Sequence, residues 1–340
     1  MSAQGKKTTI LQALNQALSD ALAEDSKVLV FGEDVADLEG GGVLGVTKGL
    51  STAHGEERVR STPISEQAIL GAAIGASMIG YKPVAEIMLM NFTTVAMDMI
   101  ANHAAKLRFM SGGQTHVPIT IRTMTGAGIA TGGQHADYWE AIFAHIAGLK
   151  VVAPSTPADA YGLLRSCIDD PDPCIFIENL ISYSTRGEAP EPGHRVPLGK
   201  ARISREGSDL TIVSYSRVAN EALLAADDLA KEGVSAEVID LRTIAPWDKE
   251  TVLASVAKTG RLLIAHEAVK PFGAGAEIAA VVNEELFGQL KAPVRRVGAP
   301  FCPVPFSNAL ESVFAVTKKD ILPAAQGLVH NQPEKVLQFS

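Results

Sequence analysis

The run Val28-Leu29-Val30-Phe31 is apolar without a break and ends in Gly32-Glu33-Asp34. A strand with one wet face alternates apolar and polar residues. An unbroken apolar run belongs instead to a strand covered on both faces, as in a parallel sheet between helices. The chain repeats this theme. Residues 8–24 carry apolar positions at helical spacing, with Thr8 or Thr9 as the cap. Further strands are expected at Pro83–Met90, Val117–Arg122, Lys150–Ala153 and Cys174–Glu178, with helices at Thr93–Phe109, Ala141–His145 and Ala158–Ile168. Pro190, Pro192 and Pro197 then interrupt the pattern. A second series follows, with strands at Leu210–Ser214, Ala236–Leu241, Leu262–His266 and Val294–Val297. Its helices are expected at Ala219–Lys231, Lys249–Lys258 and Ala274–Phe287. The alternation predicts an α/β protein of two domains, each a mainly parallel sheet flanked by helices. The expected domains are 1–188 and 203–340, joined by a linker at 189–202. Two domains also suit a length of 340 residues.

In an open sheet of this kind, ligands gather beyond the carboxyl ends of the strands, which draws attention to Glu33 and Asp34. The pair also reads as a turn and a cap. Glu66 opens a run of small residues, Gly71-Ala72-Ala73 and Gly75-Ala76-Ser77, behind Pro63 and Ser65, both suited to a helix start. Small residues admit a flat cofactor or another backbone, and an acid pinned beside such a surface is placed to carry a proton. The alternative is a solvated first-turn acid favoured by the helix dipole. His135 ends the Gly-rich stretch 125–135, as a general acid/base or a substrate-orienting group, or as an ordinary loop histidine. The turn 167–173, with Asp169, Asp170 and Asp172, reads either as an oxygen site for a hard cation or as a polar turn.

Several chemistries are disfavoured. Gly126-Ala127-Gly128 and Gly273-Ala274-Gly275 fail the dinucleotide fingerprint at Thr131 and Ile278, and no phosphate-loop, HExxH or GxSxG motif occurs. A net charge of −8 argues against nucleic acid and anionic membranes as partners. No run reaches the roughly 20 apolar residues of a membrane span. The start of the chain is polar, and Cys167, Cys174 and Cys302 form no disulfide framework, so the cytoplasm is the expected location.

The motifs together resemble one family. They are Gly32-Glu33-Asp34-Val35, Gly41-Gly42-Val43 with Val46–Leu50, Thr62-Pro63-Ile64-Ser65-Glu66, Met110-Ser111-Gly112-Gly113, Gln134-His135, Gly148–Val152 with Pro154, and Asp240-Leu241-Arg242-Thr243. The chain resembles, over nearly its whole length, the beta subunit of the thiamine diphosphate-dependent component of 2-oxo acid dehydrogenase complexes. The resemblance implies a transketolase-like pyrimidine-binding domain followed by a transketolase C-terminal-like domain that mainly serves assembly and docking. It implies that Glu66 hydrogen-bonds the cofactor's aminopyrimidine and that Glu33 links this acid to the interior. Met88 and Phe92 would line the pyrimidine and substrate side, and His135 would face the substrate and an incoming lipoyl arm. It also implies a potassium ion at Ile119, Cys167, Ile168, Asp170 and Asp172, partly through carbonyls.

Thiamine enzymes hold magnesium and the diphosphate with a GDG motif, which this chain lacks. The resemblance therefore implies an alpha subunit that supplies it, in a heterotetramer of two alpha and two beta chains, and a lipoyl acyltransferase core as the further partner. The substrate expected is a small 2-oxo acid of the pyruvate type. The alternatives are acetoin, towards which Leu44 points, a branched-chain 2-oxo acid, or a non-catalytic assembly subunit. Branched-chain members tend to carry Gln and Tyr where Met88 and Phe92 stand. Ala136 replaces the family's usual Ser, which bears on contacts with the acyl acceptor.

Overall fold

A computed structural model describes residues 7–330; the outer ends of both expected domains, 1–6 and 331–340, lie outside the described residues. The strands of the first half are β1 Lys7–Thr9, β2 Val28–Glu33, β3 Val59–Thr62, β4 Lys82–Leu89, β5 Thr120–Thr125, β6 Lys150–Val152, β7 Cys174–Asn179 and β8 Arg186–Glu188. Those of the second are β9 Arg202–Arg205, β10 Leu210–Ser214, β11 Ala236–Asp240, β12 Thr243–Ala245, β13 Leu262–Val269 and β14 Arg295–Ala299.

They form a seven-stranded sheet in the order β12-β6-β7-β5-β4-β2-β3, a five-stranded sheet in the order β14-β13-β10-β11-β9, and the antiparallel pair β1-β8. Within the sheets, pairing is parallel except at the edges β12-β6 and β11-β9. The edge strand β12 comes from the second half of the chain, so the larger sheet is completed across the linker.

The helix Ile10–Glu24 begins at Thr9, whose hydroxyl accepts from the Gln12 amide while the Gln12 side chain accepts from the Thr9 amide. It lays Leu14, Ala17, Leu18 and Leu22 against the helix Pro157–Asp169 and the β2 and β7 face. Removing either Leu14 or Leu18 side chain would cost about 2–5 kcal/mol by leaving a cavity.

One expected element is not there. Thr93–Phe109 reads as a single helix, but the chain makes a 3₁₀ turn at Met90–Thr94, a π-helix at Met99–Ala104 and a short helix at Leu107–Met110. The hydroxyls of Thr93 and Thr94 donate back to the carbonyls of Met90 and Asn91, 2.6 and 2.7 Å away, closing the tight turn. The Ala105 amide then reaches Ile100 rather than residue 101. The other major strands and helices lie where expected, with ends shifted by a few residues, as at Thr120–Thr125. Among the described residues no helix is long and apolar enough to cross a membrane.

Candidate active site

The site grows from the carboxyl ends of β2, β3 and β4. Glu33 closes β2 and pairs in register with Thr62, the last residue of β3. The turn Pro63–Ser65 leads directly into the helix Glu66–Met78. Ser65 occupies the cap position, but its hydroxyl donates to the Pro63 carbonyl and does not cap the helix amides. Glu66 is thus the first helical residue, where the helix dipole favours a negative charge. The helix turns Ile69, Leu70, Ala73 and Ile74 into the core. Its other flank, with Ser65, Gln67, Ala68 and Gly71, borders an open cavity of about 460 Å³ closed on the far side by Val95 and Met99.

Glu33 and Glu66 are both only 7% exposed. Burial raises the Glu33 pKa, and the charges of Glu66, Asp34 and Glu86 raise it further. One Glu33 oxygen is buried without a hydrogen-bond partner. A buried acceptor left unsatisfied costs about 1–3 kcal/mol, so this geometry is suited to a ligand donor or a shared proton.

Beneath these acids lies a charged ladder. Arg122 on β5 gives one nitrogen to Glu86 on β4 at 2.6 Å and grips Glu178 on β7 at 2.6 and 2.8 Å; the Tyr183 hydroxyl also donates to Glu178. Burial raises the Glu86 pKa against the opposing pull of Arg122. Gly32 faces Glu86 across the β2-β4 pairing, and a side chain there would strike the Glu86 backbone, its Cβ 2.6 Å from the carbonyl oxygen. Sequence reasoning passed over this ladder. Its signal is a charge inside each of three buried strands; parallel register sets Glu86 beside Arg122, and Glu178 lies two residues beyond Phe176, the β7 partner of Arg122.

Met88, near the end of β4, is half-buried against the cluster of the first helix. Phe92, in the 3₁₀ turn that follows, meets the His135 ring edge-on, with centroids 5.5 Å apart at 79°. His135 belongs to residues 126–139, which form neither helix nor strand. Asn91 anchors this segment by donating to Asp137 at 2.8 Å and to the Gly133 carbonyl at 3.2 Å. Burial raises the Asp137 pKa, with the Asn91 bond opposing. Asn91 and Asp137 are therefore positioning residues that sequence reasoning missed, although they flank Phe92 and His135.

The structure thus brings Glu33 to Glu66 and Phe92 to His135. The candidate cation residues lie elsewhere. Ile119, Cys167, Ile168, Asp170 and Asp172 surround the amino ends of β5 and β7, the opposite edge of the same sheet. There Lys150 binds Asp170 at 2.5 and 2.6 Å, Arg108 binds Asp172 at 2.5 Å, and the Ile119 carbonyl accepts from the Cys174 amide. The two carboxylates are neutralised by protein cations, which leaves main-chain carbonyls as the oxygen donors suited to a further cation.

The chain thus places a buried carboxylate at the carboxyl edge of a parallel sheet, opening a helix of small residues, and its family matches make it a protein of the transketolase type. The family description "Transketolase, pyrimidine binding domain" matches residues 6–185, and "Transketolase, C-terminal domain" matches 199–321. Within this class the chain belongs to the family of pyruvate dehydrogenase E1 and acetoin oxidoreductase beta subunits. It is 45% identical to the beta subunit of acetoin:2,6-dichlorophenolindophenol oxidoreductase from Cupriavidus necator, over 94% of this chain and 97% of that protein. It is equally 45% identical to the pyruvate dehydrogenase E1 beta subunit of Bacillus subtilis, over 97% and 99%. Solved structures share the fold. A split-gene transketolase, an inactive beta4 tetramer, superposes with a TM-score of 0.77 at 24% identity, covering 95% of this chain and 99% of its own. Transketolase from Leishmania mexicana gives 0.71 at 15% identity, over 99% of this chain and 48% of its own.

Proposed function

We propose that this chain is the catalytic beta subunit of a thiamine diphosphate-dependent dehydrogenase that decarboxylates a small 2-oxo acid of the pyruvate type and passes the acyl group to the lipoyl arm of an acyltransferase. The observation that carries the reading is the Glu66–Glu33 pair: a buried acid that opens a small-residue helix beside an open cavity, and a second buried acid at the end of β2 with an oxygen free to bond. The residues fit the cofactor's aminopyrimidine end. When bound, thiamine diphosphate supplies the electron sink for breaking the bond next to the carbonyl. Glu66 holds a proton at the pyrimidine's ring nitrogen, and Glu33 shares that proton with the interior. Met88 and Phe92 shape the apolar wall. His135, steadied by Phe92, presents its ring to the acceptor and moves a proton there.

The alpha subunit enters through two features. The chain has no GDG motif with which to hold magnesium and the diphosphate. The cavity is open, and Ile64 and Val95 beside it are 82% and 54% exposed, an apolar rim suited to a second chain. The reading includes a heterotetramer of two alpha and two beta chains, a cytoplasmic location, and a potassium ion at Ile119, Cys167, Ile168, Asp170 and Asp172, held partly through carbonyls. Acetoin is the second reading, kept because the chain is as similar to an acetoin relative as to a pyruvate one, 45% identical to each. Co-purification with a GDG-bearing alpha subunit, then assay with pyruvate, acetoin and branched 2-oxo acids, tests all of this. Turnover of pyruvate is expected. Preference for acetoin installs the second reading. Tight magnesium-dependent cofactor binding by the beta chain alone overturns the shared site.

A further inference from the structure

The segment that carries His135 is held from the far half of the chain. Residues 126–139 lack regular structure and include Gly126, Gly128, Gly132 and Gly133, so their own sequence does little to fix them. Two carboxylates from the second half bind their main chain. Glu311, in the helix Asn308–Phe314, accepts from the Gly128 amide at 2.6 Å through one oxygen and from the Ala130 amide at 2.8 Å through the other. Glu267, on β13, accepts from the Ala127 amide at 3.0 Å, and also from Asn179 at 2.8 Å and Arg217 at 3.1 Å. Glu311 is 2% and Glu267 is 4% exposed.

The grip depends on backbone geometry that the loop alone would avoid. Gly128 has φ +127° and Ala130 has φ +56°, an uncommon conformation for alanine. The same stretch of the second half also packs on the loop. Phe306 would lie 2.9 Å from a Cβ on Gly132, and Pro303 would lie 3.1 Å from one on Gly133. The His135 amide in turn donates to the Gly132 carbonyl at 3.1 Å. Contacts therefore run without a gap from Glu311 and Phe306 to the backbone of His135.

We propose that Glu311, supported by Glu267, is a positioning residue for His135, and that the second half of the chain thereby takes part in acyl transfer as well as in assembly. This rests on the reading of His135 as the group facing the acyl acceptor. The chemistry of the grip is specific. Both Glu311 oxygens accept from main-chain amides, so the amide group of a glutamine would set an N–H against one of them. Glu311→Asp keeps the charge but withdraws it by one methylene.

The test uses the assembled alpha–beta enzyme carrying Glu311→Gln, His135→Ala, or both. Turnover is measured with the artificial electron acceptor 2,6-dichlorophenolindophenol and, separately, by acyl transfer to lipoamide. Glu311→Gln is expected to lower acyl transfer ~10-fold or more while dye-coupled turnover stays within ~2-fold. The double variant is expected to transfer no more than ~2-fold slower than His135→Ala, because the two residues act as one unit. Equal losses in both assays, or multiplying losses in the double variant, overturn the proposal. Hydrogen exchange of the peptide 126–135 gives an independent reading of the grip. Faster exchange in Glu311→Gln is expected; unchanged exchange overturns the proposal. Should Glu311→Gln not assemble, Glu311→Asp is put through the same measurements with the same criteria. A His135→Ala enzyme with normal acyl transfer would mark failure of the underlying His135 reading, and the transfer claim falls with it. Faster exchange would then still report the grip itself.

Discussion

In the proposed function Glu66 and His135 divide the chemistry between them, and single substitutions separate their parts. Glu66→Gln keeps the size and the hydrogen-bonding reach but cannot give up a proton. In the assembled enzyme it is expected to slow proton exchange at the cofactor's thiazolium carbon by about 10²–10⁴-fold, the usual range for a lost acid–base group. Deuterium exchange followed by NMR measures this, and exchange at the wild-type rate would remove Glu66 from the role. His135→Ala is expected to impair transfer to lipoamide by ~10²-fold while dye-coupled turnover changes little. Equal impairment of the two would move His135 to a step before transfer. Glu66 was legible because an acid ahead of a run of Gly and Ala is a local pattern. Glu33 was legible as the end of an apolar strand. Glu311 was not, because it meets the His135 segment across more than 180 residues of sequence and nothing local to 308–314 announces that contact.

At the scale of elements, apolar runs were the clearest signal, since strands covered on both faces have no reason to alternate. The central β5, β7, β10 and β11 are buried along their whole length; β7, β10 and β11 lie where they are predicted, whereas β5, rich in threonine, begins at Thr120 rather than Val117. The segment 93–109 was misread because Ala96, Ile100 and Ala104 do have helical spacing, whereas the hydroxyl bonds of Thr93 and Thr94 and the π-turn leave no mark on periodicity. What secures that irregular segment is a glycine. Gly148 has φ +100°, and a Cβ there would sit 2.0 Å from the Ala105 carbonyl oxygen. Gly148→Ala must therefore adopt a strained backbone and also push the π-segment off the start of β6. A loss of about 3 kcal/mol or more is expected, seen as a lower denaturation midpoint of the assembled enzyme. A midpoint like that of the wild type would show that the segment yields freely. Gly71 offers a control, since its Cβ would lie 3.7 Å from the Met99 sulfur, an ordinary contact, and Gly71→Ala inside the helix is expected to leave stability unchanged or raise it by up to about 1 kcal/mol.

Across the whole molecule, one of the contacts between the two halves is made by a buried carboxyl group. Glu140 opens the short helix Glu140–Ala144 of the first half and accepts from the Tyr215 hydroxyl of the second at 2.6 Å. Tyr215 in turn stacks on His266, with centroids 6.1 Å apart. The other Glu140 oxygen is buried without a partner. Burial pushes the Glu140 pKa from 4.5 to about 8, with the Tyr215 bond opposing and Glu267 adding to the rise. Near neutral pH this acid is held in its uncharged form, so this contact between the halves is a neutral hydrogen bond, unlike the Arg202 and Arg242 ion pairs with Asp159. The native state keeps a proton that the unfolded chain releases above 4.5. Stability conferred by the neutral form is therefore whole below that pH, declines as pH rises towards 8, and is flat beyond. Two neighbouring shifts end earlier. His266, lowered by burial to about 4, finishes its contribution by its ordinary value of 6.5, and Asp240, raised by burial to about 6, finishes near 6. The window from pH 6.5 to 8 thus isolates Glu140 from both. Over it the wild-type chain is expected to lose about 2 kcal/mol, a melting shift of about 3 °C for a protein of this size. Glu140→Gln, which imitates the uncharged acid, is expected to show a flat melting temperature across the same window. A variant with the wild-type slope would assign that pH dependence to another group and leave Glu140 ionised at this contact.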